Sequence, residues 1–229
     1  MRILVVSDIE NKYIWDHFDP DKFRGVELII SCGDLSARYL SFLVTMIPCP
    51  LLYVPGNHDK KYETAPPEGC INIDERLLVY RGIRIMGLGG CKSPHPCLHE
   101  YSEQQMWKKV TSMERQIRRA KGLDIFVSHA PAIGLGDFDD QFHRGFESFR
   151  YIDDKYKPDI HMYGHCHMGE NPMDRRACYP YHSTVMLNGS GYKLIDYTPG
   201  CEFTHPMGCI PFEEIPTPMP PRRFPAFFR

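Results

Sequence analysis

Five short apolar runs divide the first three quarters of the chain, and each one ends in a cluster of polar residues or glycine. The runs are Ile3–Val6, Leu28–Ile30, Leu51–Val54, Ile125–Val127 and Ile160–Tyr163. Runs this short, rich in Val and Ile and bounded by turn residues, are typical of buried strands, since helices need about ten residues or more. The sequence therefore predicts buried strands whose ends carry polar side chains.

Longer amphipathic stretches lie between these runs and predict helices. They are Ala37–Met46, Glu103–Arg119 and Phe146–Tyr156. In the second stretch, apolar residues recur on one face at Met106, Val110, Met113 and Ile117. Strands that alternate with helices indicate parallel βαβ units.

Two other regions predict paired strands. Arg76–Tyr80 and Ile83–Gly87, separated by Arg81 and Gly82, form a predicted hairpin, and Ser183–Leu187 with Lys193–Asp196 form a second predicted pair. We therefore expect an α/β domain with two mixed β-sheets over residues 1–198. A proline-rich tail without helical or strand periodicity would follow at residues 199–229.

Charge and cysteine usage narrow the class of protein. The formal net charge is −2, from 27 basic and 29 acidic residues, which argues against nucleic acid or a membrane surface as a partner. The nine cysteines include no C-x-x-C pair, and the four apolar residues after Arg2 are too few for a signal peptide. We expect free thiols and a cytoplasmic protein, and the sequence leaves the oligomeric state open.

The polar residues at the predicted strand ends form a set suited to divalent metals. They are Asp8, Glu10, Asp34, Asn57, His58, His129, His165 and His167. Ligands of α/β sheets bind outside the carboxyl ends of the strands, so these side chains should meet. Taken singly, Asp8 could cap a helix and Asp34 could lie in a turn. Together, carboxylates, an amide and imidazoles favour a metal site.

The order of these motifs resembles that of the calcineurin-like metallophosphoesterase superfamily. The matching elements are Asp8-x-Glu10, Gly33-Asp34, Gly56-Asn57-His58-Asp59, Ser128-His129-Ala130-Pro131 and Gly164-His165-Cys166-His167. Leu88-Gly89-Gly90 is similar to a loop of the small bacterial branch. The resemblance covers residues 3 to about 196 and implies two mixed β-sheets packed as a sandwich flanked by helices.

The resemblance also implies a dinuclear centre for a hydrolase. Asp8, Asp34 and His167 would bind the first metal, and Asp34, Asn57, His129 and His165 the second. His58 would contact the phosphate and assist the leaving group, with Asp59 orienting it. The expected cofactors are two divalent ions, manganese first, with magnesium, iron, nickel or zinc as alternatives.

Two departures from the family pattern refine this expectation. Glu10 stands where the family usually has histidine, so it either ligates the first metal, or only caps the following helix or bonds a metal-bound water. The stretch from Gly33 to Tyr39 lacks the extended motif of protein phosphatases. The expected substrate is a small phosphate ester, cleaved by a phosphatase or phosphodiesterase activity. The candidate substrate contacts are Arg38, His143 and Arg144, with Lys92 and Arg150 as further candidates.

Two alternatives stay open at this point. The first is a binding or scaffold protein that keeps the fold with weak catalysis, for which Glu10 is the motivation. The second concerns the loop of Cys91, His95, Cys97 and His99, which could hold zinc. Because its spacing fits no zinc motif, a lid over the site is the preferred interpretation.

Overall fold

The computed structural model describes residues 1–167 and 177–200 and the backbone of residues 212–213. The strands are Arg2–Ser7 (β1), Val26–Ser31 (β2), Leu51–Tyr53 (β3), Ile71–Asn72 (β4), Arg76–Tyr80 (β5), Ile83–Leu88 (β6), Cys91–Lys92 (β7), Glu100–Tyr101 (β8), Ile125–Ser128 (β9), Ile160–Tyr163 (β10), Cys178–Tyr181 (β11), Thr184–Asn188 (β12), Gly191–Asp196 (β13) and Phe212–Glu213 (β14). The α-helices are Lys12–Asp16 (α1), Ala37–Met46 (α2), Glu103–Ala120 (α3) and Glu147–Tyr156 (α4), with short 3-10 helices at Pro20–Phe23 and Lys60–Glu63.

The long strands form two six-stranded mixed sheets. The first has the order β14-β13-β1-β2-β3-β4 and the second the order β11-β12-β10-β9-β6-β5. Within the first sheet β1, β2 and β3 run parallel, and within the second β6, β9, β10 and β12 run parallel. The predicted hairpin is β5 and β6, which pair antiparallel.

Successive side chains of a strand point to opposite faces of the sheet, and this alternation accounts for the layers of the fold. In β1, Ile3 and Val5 pack against residues of the second sheet such as Ile125, whereas Leu4 and Val6 pack against α2. In the second sheet, Phe126 turns outward and joins the cluster that contains α3 and α4. The result is an α/β/β/α sandwich, which confirms the expected fold class.

Helix α3 has the apolar face that the sequence predicts. Met106, Val110, Met113 and Ile117 are buried against the second sheet. A capping box between Ser102 and Gln105 begins the helix, and Lys121 in the left-handed conformation ends it. In the described part of the chain, no helix combines the length and apolarity that a membrane span needs.

The prediction that the last two long strands pair with each other was wrong. Both strands exist, but β12 pairs with β10 in the second sheet and β13 pairs with β1 in the first. The N–H of Gly189 donates to the carbonyl of Tyr163 at 2.7 Å, which continues the pairing of β12 with β10, and the chain then crosses between sheets. Apolar alternation predicts a strand and its buried face, but it does not choose a partner.

The predicted tail is described only in part. Residues 212–213 add the short strand β14 to β13, although no strand periodicity marks that stretch of the sequence. Residues 201–211 and 214–229 lie outside the described residues. The division at residue 198 stays a prediction.

Candidate metal centre

The carboxyl ends of five strands meet at one edge of the sandwich. Asp8 follows β1, Asp34 lies three residues beyond β2 and Asn57 lies beyond β3, all in the first sheet. His129 follows β9 and His165 lies just beyond β10, both in the second sheet. The N–H of His165 donates to Oδ1 of Asp8 at 2.9 Å, which joins the two sheets at the site.

The backbone at this edge is strained and crowded. Asp8, Asp34 and His165 all have positive φ angles, of 62°, 56° and 65°, a conformation that costs non-glycine residues free energy and often marks functional sites. Gly33 has φ +99°, and a Cβ there would lie 2.5 Å from the nitrogen of Gly56. Only glycine allows the turns that carry Asp34 and Asn57 to pack this closely.

Three potential ligands form the centre of the cluster. Asp34, His129 and His165 each offer one ligand atom, and these three atoms lie within 4.8 Å of one another. Nε2 of His129 is 3.3 Å from Oδ2 of Asp34 and 3.0 Å from Oδ1 of Asn57. Nδ1 of His129 is 2.8 Å from the carbonyl of Cys32, which assigns its proton to Nδ1 and turns Nε2 toward the cluster.

Asp34 and His129 form an ion pair in the metal-free protein. Burial disfavours the charge of both groups, but the attraction between them is stronger. It lowers the pKa of Asp34 to about 2 and raises the pKa of His129 to about 9. The imidazolium therefore supplies positive charge where a cation would bind, and a metal that takes Nε2 must displace a proton.

Asp8 has a buried carboxylate oxygen that is unsatisfied. Its side chain is wholly buried, Oδ1 also lies 3.7 Å from Nε2 of His167, and Oδ2 has no hydrogen-bond partner among the described residues. Burial raises the pKa of Asp8 despite the nearby histidines. A lone carboxylate oxygen beside imidazoles is an arrangement that a cation would stabilise.

His165 is neutral, as a metal ligand must be. Burial, and then the charge of His129, lowers its pKa to about 3. Its Nε2 lies 2.7 Å from the carbonyl of Phe142, so Nε2 carries the proton and Nδ1 is left for coordination. The ring of His167, by contrast, is 60% exposed.

His58 and Asp59 lie on the turn after β3 and have different contacts. The N–H of His58 donates to Oδ1 of Asp34 at 2.8 Å, and its ring is 81% exposed with Nε2 4.0 Å from Oδ2 of Asp34. Oδ2 of Asp59 accepts from the N–H groups of Asp34 and Gly56 at 2.7 and 2.8 Å. Burial raises the pKa of Asp59 to about 6. Asp59 thus fixes the two turns that carry the ligands.

The other predicted site residues lie around this cluster. Oε1 of Glu10 accepts from the N–H of Ser36, the N-cap of α2, at 3.0 Å. Arg38 is exposed in the first turn of α2. The ring of His143 is 5.2 Å from that of His165, and its Nδ1 is 2.8 Å from Oδ2 of Asp140.

Arg144 lines a neighbouring cavity of about 510 Å³. The other lining residues are Lys92, Ser93, Pro94, Ser102, Glu103, Asp139, Asp140 and Gln141. Lys92 is paired with Glu103 at 2.8 Å, whereas the guanidinium of Arg144 has no ion pair with any described residue. The loop that supplies Arg144 to this cavity also carries His143, whose ring lies against that of His165.

A buried chain of hydrogen bonds next to His129, here called the relay, was not predicted from the sequence. It joins Ser128, His161 and Asp153. Oγ of Ser128 is 2.8 Å from Nε2 of His161, and Nδ1 of His161 is 2.9 Å from Oδ2 of Asp153. The Ser128 hydroxyl is also 2.6 Å from the carbonyl of Ala130, to which it can donate its proton. The relay therefore braces the turn that carries His129, and its burial argues against nucleophilic chemistry.

Comparisons with known proteins identify the family and the fold. A sequence model of the calcineurin-like phosphoesterase family matches residues 1–169. One solved structure aligns with 93% of this chain and 98% of its own, with a TM-score of 0.64 and 14% identity. The protein TT1561 of Thermus thermophilus aligns with 85% of this chain and 93% of its own, with a TM-score of 0.58 and 16% identity. No curated protein gives a significant match. At these identities the two structures support the fold alone.

Proposed function

The chain belongs to the calcineurin-like phosphoesterase family, and on that premise we propose that it is a metal-dependent hydrolase of small phosphate esters. The observation that carries the proposal is the cluster of Asp34, His129 and His165 beside the unsatisfied Oδ2 of Asp8. Both sheets contribute to this cluster at the edge where ligands of α/β folds bind.

The donor set suits two divalent ions that share one carboxylate. Asp8 and His167 would hold the first ion, and Asn57, His129 and His165 the second, with Asp34 common to both. Oxygen and imidazole donors without thiolate favour manganese, with magnesium, iron, nickel and zinc as alternatives. When bound, such ions neutralise the charge of the phosphate and lower the pKa of water.

The chain itself would orient the ligands and supply a proton. The carbonyls of Cys32 and Phe142 each bond one ring nitrogen of His129 and His165, so the other nitrogen of each ring is left for a metal. The exposed ring of His58, 4.0 Å from Asp34, is free to donate a proton from Nε2 to the leaving oxygen of the ester. This role contributes about 10²–10⁴-fold in other enzymes.

Hydrolysis of nitrophenyl phosphates tests the proposal. We expect the protein to release nitrophenol from mono- or bis-nitrophenyl phosphate when Mn²⁺ is added, to lose activity in excess chelator, and to regain it on addition of metal. His129→Gln, purified in parallel, is the control for contaminating phosphatases. Equal rates in the variant and the wild type, or full activity in chelator, would contradict the proposal.

Two observations favour a second candidate, a binding protein with weak catalysis. Glu10 is bonded to the backbone of Ser36, and the ring of His167 is largely exposed, so the first metal site would have Asp8 and Asp34 as buried ligands and His167 as an exposed one. The same assay separates the candidates: stoichiometric metal binding without turnover on any ester would favour the binding protein.

A further inference from the structure

Phe142 combines high exposure with a fixed position beside the candidate metal centre. The residue is 70% exposed, more than any other large apolar residue in the described part of the chain. A single exposed apolar side chain is common on protein surfaces and by itself indicates nothing. The informative property of Phe142 is therefore its position beside the candidate ligand His165.

The backbone of Phe142 is held from both sides. Its N–H donates to Oδ1 of Asp140 at 2.8 Å, and its carbonyl accepts from Nε2 of the candidate ligand His165 at 2.7 Å. The loop is fixed further by Asp137, whose carboxylate accepts from the N–H groups of Gly134 and Gly145. The backbone that carries this exposed phenyl group is thus hydrogen-bonded directly to the candidate ligand His165.

A second exposed apolar residue adjoins the cluster from the other sheet. Ile9 is 46% exposed and directly follows Asp8. The ring of His143, next to Phe142 in the chain, stacks at a tilt against His165. Phe142, His143 and Ile9 thus lie next to the residues where a phosphate would bind, and their side chains are candidates to contact the organic part of an ester.

We propose that the site takes phosphate esters whose organic group carries an aromatic ring, and that this ring packs on Phe142. The inference rests on the proposed function for the position of the phosphate. Aromatic rings attract one another in offset or edge-to-face arrangements, and stacking tolerates any flat ring, whether phenyl or heteroaromatic. Phe142 would then be a specificity residue, while hydrolysis depends on the metal ligands.

Binding of two phosphonates to the Mn²⁺-loaded protein tests the inference without turnover. Phenylphosphonate and methylphosphonate share the anionic group and differ in the ring. We expect calorimetry to give wild-type protein a preference of about tenfold for phenylphosphonate, which Phe142→Ala reduces to about one- to twofold. Phe142→Tyr should keep the preference and Phe142→Leu should lose most of it, because the ring and not apolarity alone is required. Val79→Ala, at a 60% exposed position on β5, is the matched control and should keep it.

The outcomes separate this inference from the proposed function. Equal wild-type binding of the two phosphonates, equal weakening of both by Phe142→Ala, or no phenylphosphonate binding would overturn the inference. Ester hydrolysis could still stand in those cases. Conversely, a preference that depends on Phe142 in a protein that hydrolyses no phosphate ester would support the inference and overturn the function.

Discussion

The carbonyl of Cys32 and Nδ1 of His129 lie 2.8 Å apart, and this bond orients the candidate metal ligand. Cys32 follows β2 in the first sheet, and His129 follows β9 in the second. Because a carbonyl can only accept, Nδ1 of His129 keeps a proton and Nε2 must face Asp34 and Asn57. The backbone of one sheet thus selects the tautomer of a ligand on the other.

Metal binding should release a proton from His129. The pKa of His129 is raised to about 9 by the charge of Asp34, against the effect of burial, so Nε2 is protonated at neutral pH. We expect the apparent affinity for Mn²⁺ to rise by up to about tenfold per pH unit between pH 6.5 and 8.5. Calorimetry in buffers of different ionisation enthalpy measures the protons released, and His129→Gln should release about one fewer. Identical release in the two proteins would contradict this.

The same pair makes the stability of the metal-free protein depend on pH. The folded pKa of His129 lies above its ordinary value of 6.5, so its stabilising contribution is complete below pH 6.5 and is lost as pH rises through 9. Asp59, with a pKa raised to about 6, has already titrated by then. Urea unfolding in chelator should therefore give a lower free energy of unfolding at pH 9 than at pH 6.5. His129→Gln should reduce this difference, and an unchanged difference would count against the ion pair.

Replacing His58 should reduce turnover while leaving the metals bound. Its contact with Asp34 is made by the backbone N–H, which survives in His58→Ala, and the exposed ring lies 4.0 Å from the carboxylate. We expect kcat to fall by about 10²–10⁴-fold with both metals retained. Metal analysis and kinetics on the same sample test this, with the exposed, remote His182→Asn as control. Loss of metal in His58→Ala would make His58 a ligand instead.

Asp34 and His165 should differ in the number of metals that they hold. Asp34 lies between the two proposed sites and His165 belongs to one, so Asp34→Ala should lose both ions and His165→Ala mainly one. Elemental analysis after equilibrium dialysis against Mn²⁺ gives the stoichiometry. Equal metal content in the two variants would exclude a shared carboxylate.

Glu10→Gln separates the two predicted roles of Glu10. The bond from Ser36 to Oε1 of Glu10 places the carboxylate at the N-terminal end of α2, where a neutral amide oxygen can also accept. We therefore expect Glu10→Gln to keep both metals and to lower kcat by less than about tenfold, since only a hydrogen bond is weakened. Release of one metal equivalent from this variant would instead identify Glu10 as a ligand.

The buried relay should stabilise both the fold and the metal site. Asp153→Ala leaves the buried Nδ1 of His161 without its acceptor, and an unsatisfied buried donor costs about 1–3 kcal/mol. Ser128→Ala should cost about 1–3 kcal/mol and also weaken Mn²⁺ binding, because Ser128 fixes the turn of His129. Denaturant unfolding and metal titration test both changes, with the exposed Asp154→Asn as control. Unchanged metal affinity in Ser128→Ala would limit the relay to stability.

The sequence predicted the long elements well because their signals are local. The run Ile160–Tyr163 and the amphipathic stretch of α2 have the bounds that their patterns indicate. Two-residue strands such as Cys91–Lys92 were not predicted because they are too short to show a periodic pattern. The pairing of β12 with β10 was not predicted because strand pairing depends on contacts between distant segments.

For the site, too, local motifs could be predicted from the sequence, whereas contacts between distant segments could not. Motif order singled out Asp34 and His129, which the structure brings to 3.3 Å. Motifs could not predict the carbonyls of Cys32 and Phe142, since every residue has one and only the fold selects which approaches an imidazole. His161 and Asp153 were missed because a histidine inside an apolar strand has no local signature of its partner.

The division of the ligands between the sheets has a consequence for biosynthesis. Asp8, Asp34 and Asn57 leave the ribosome first, and the histidines at 129, 165 and 167 emerge more than seventy residues later. The ligands on the first sheet cannot form the whole metal site until the second sheet has been synthesised and has docked on the first. Uptake of a cation at the whole site is therefore a late step of maturation, and a nascent chain that stalls before residue 129 has no histidine ligand to offer.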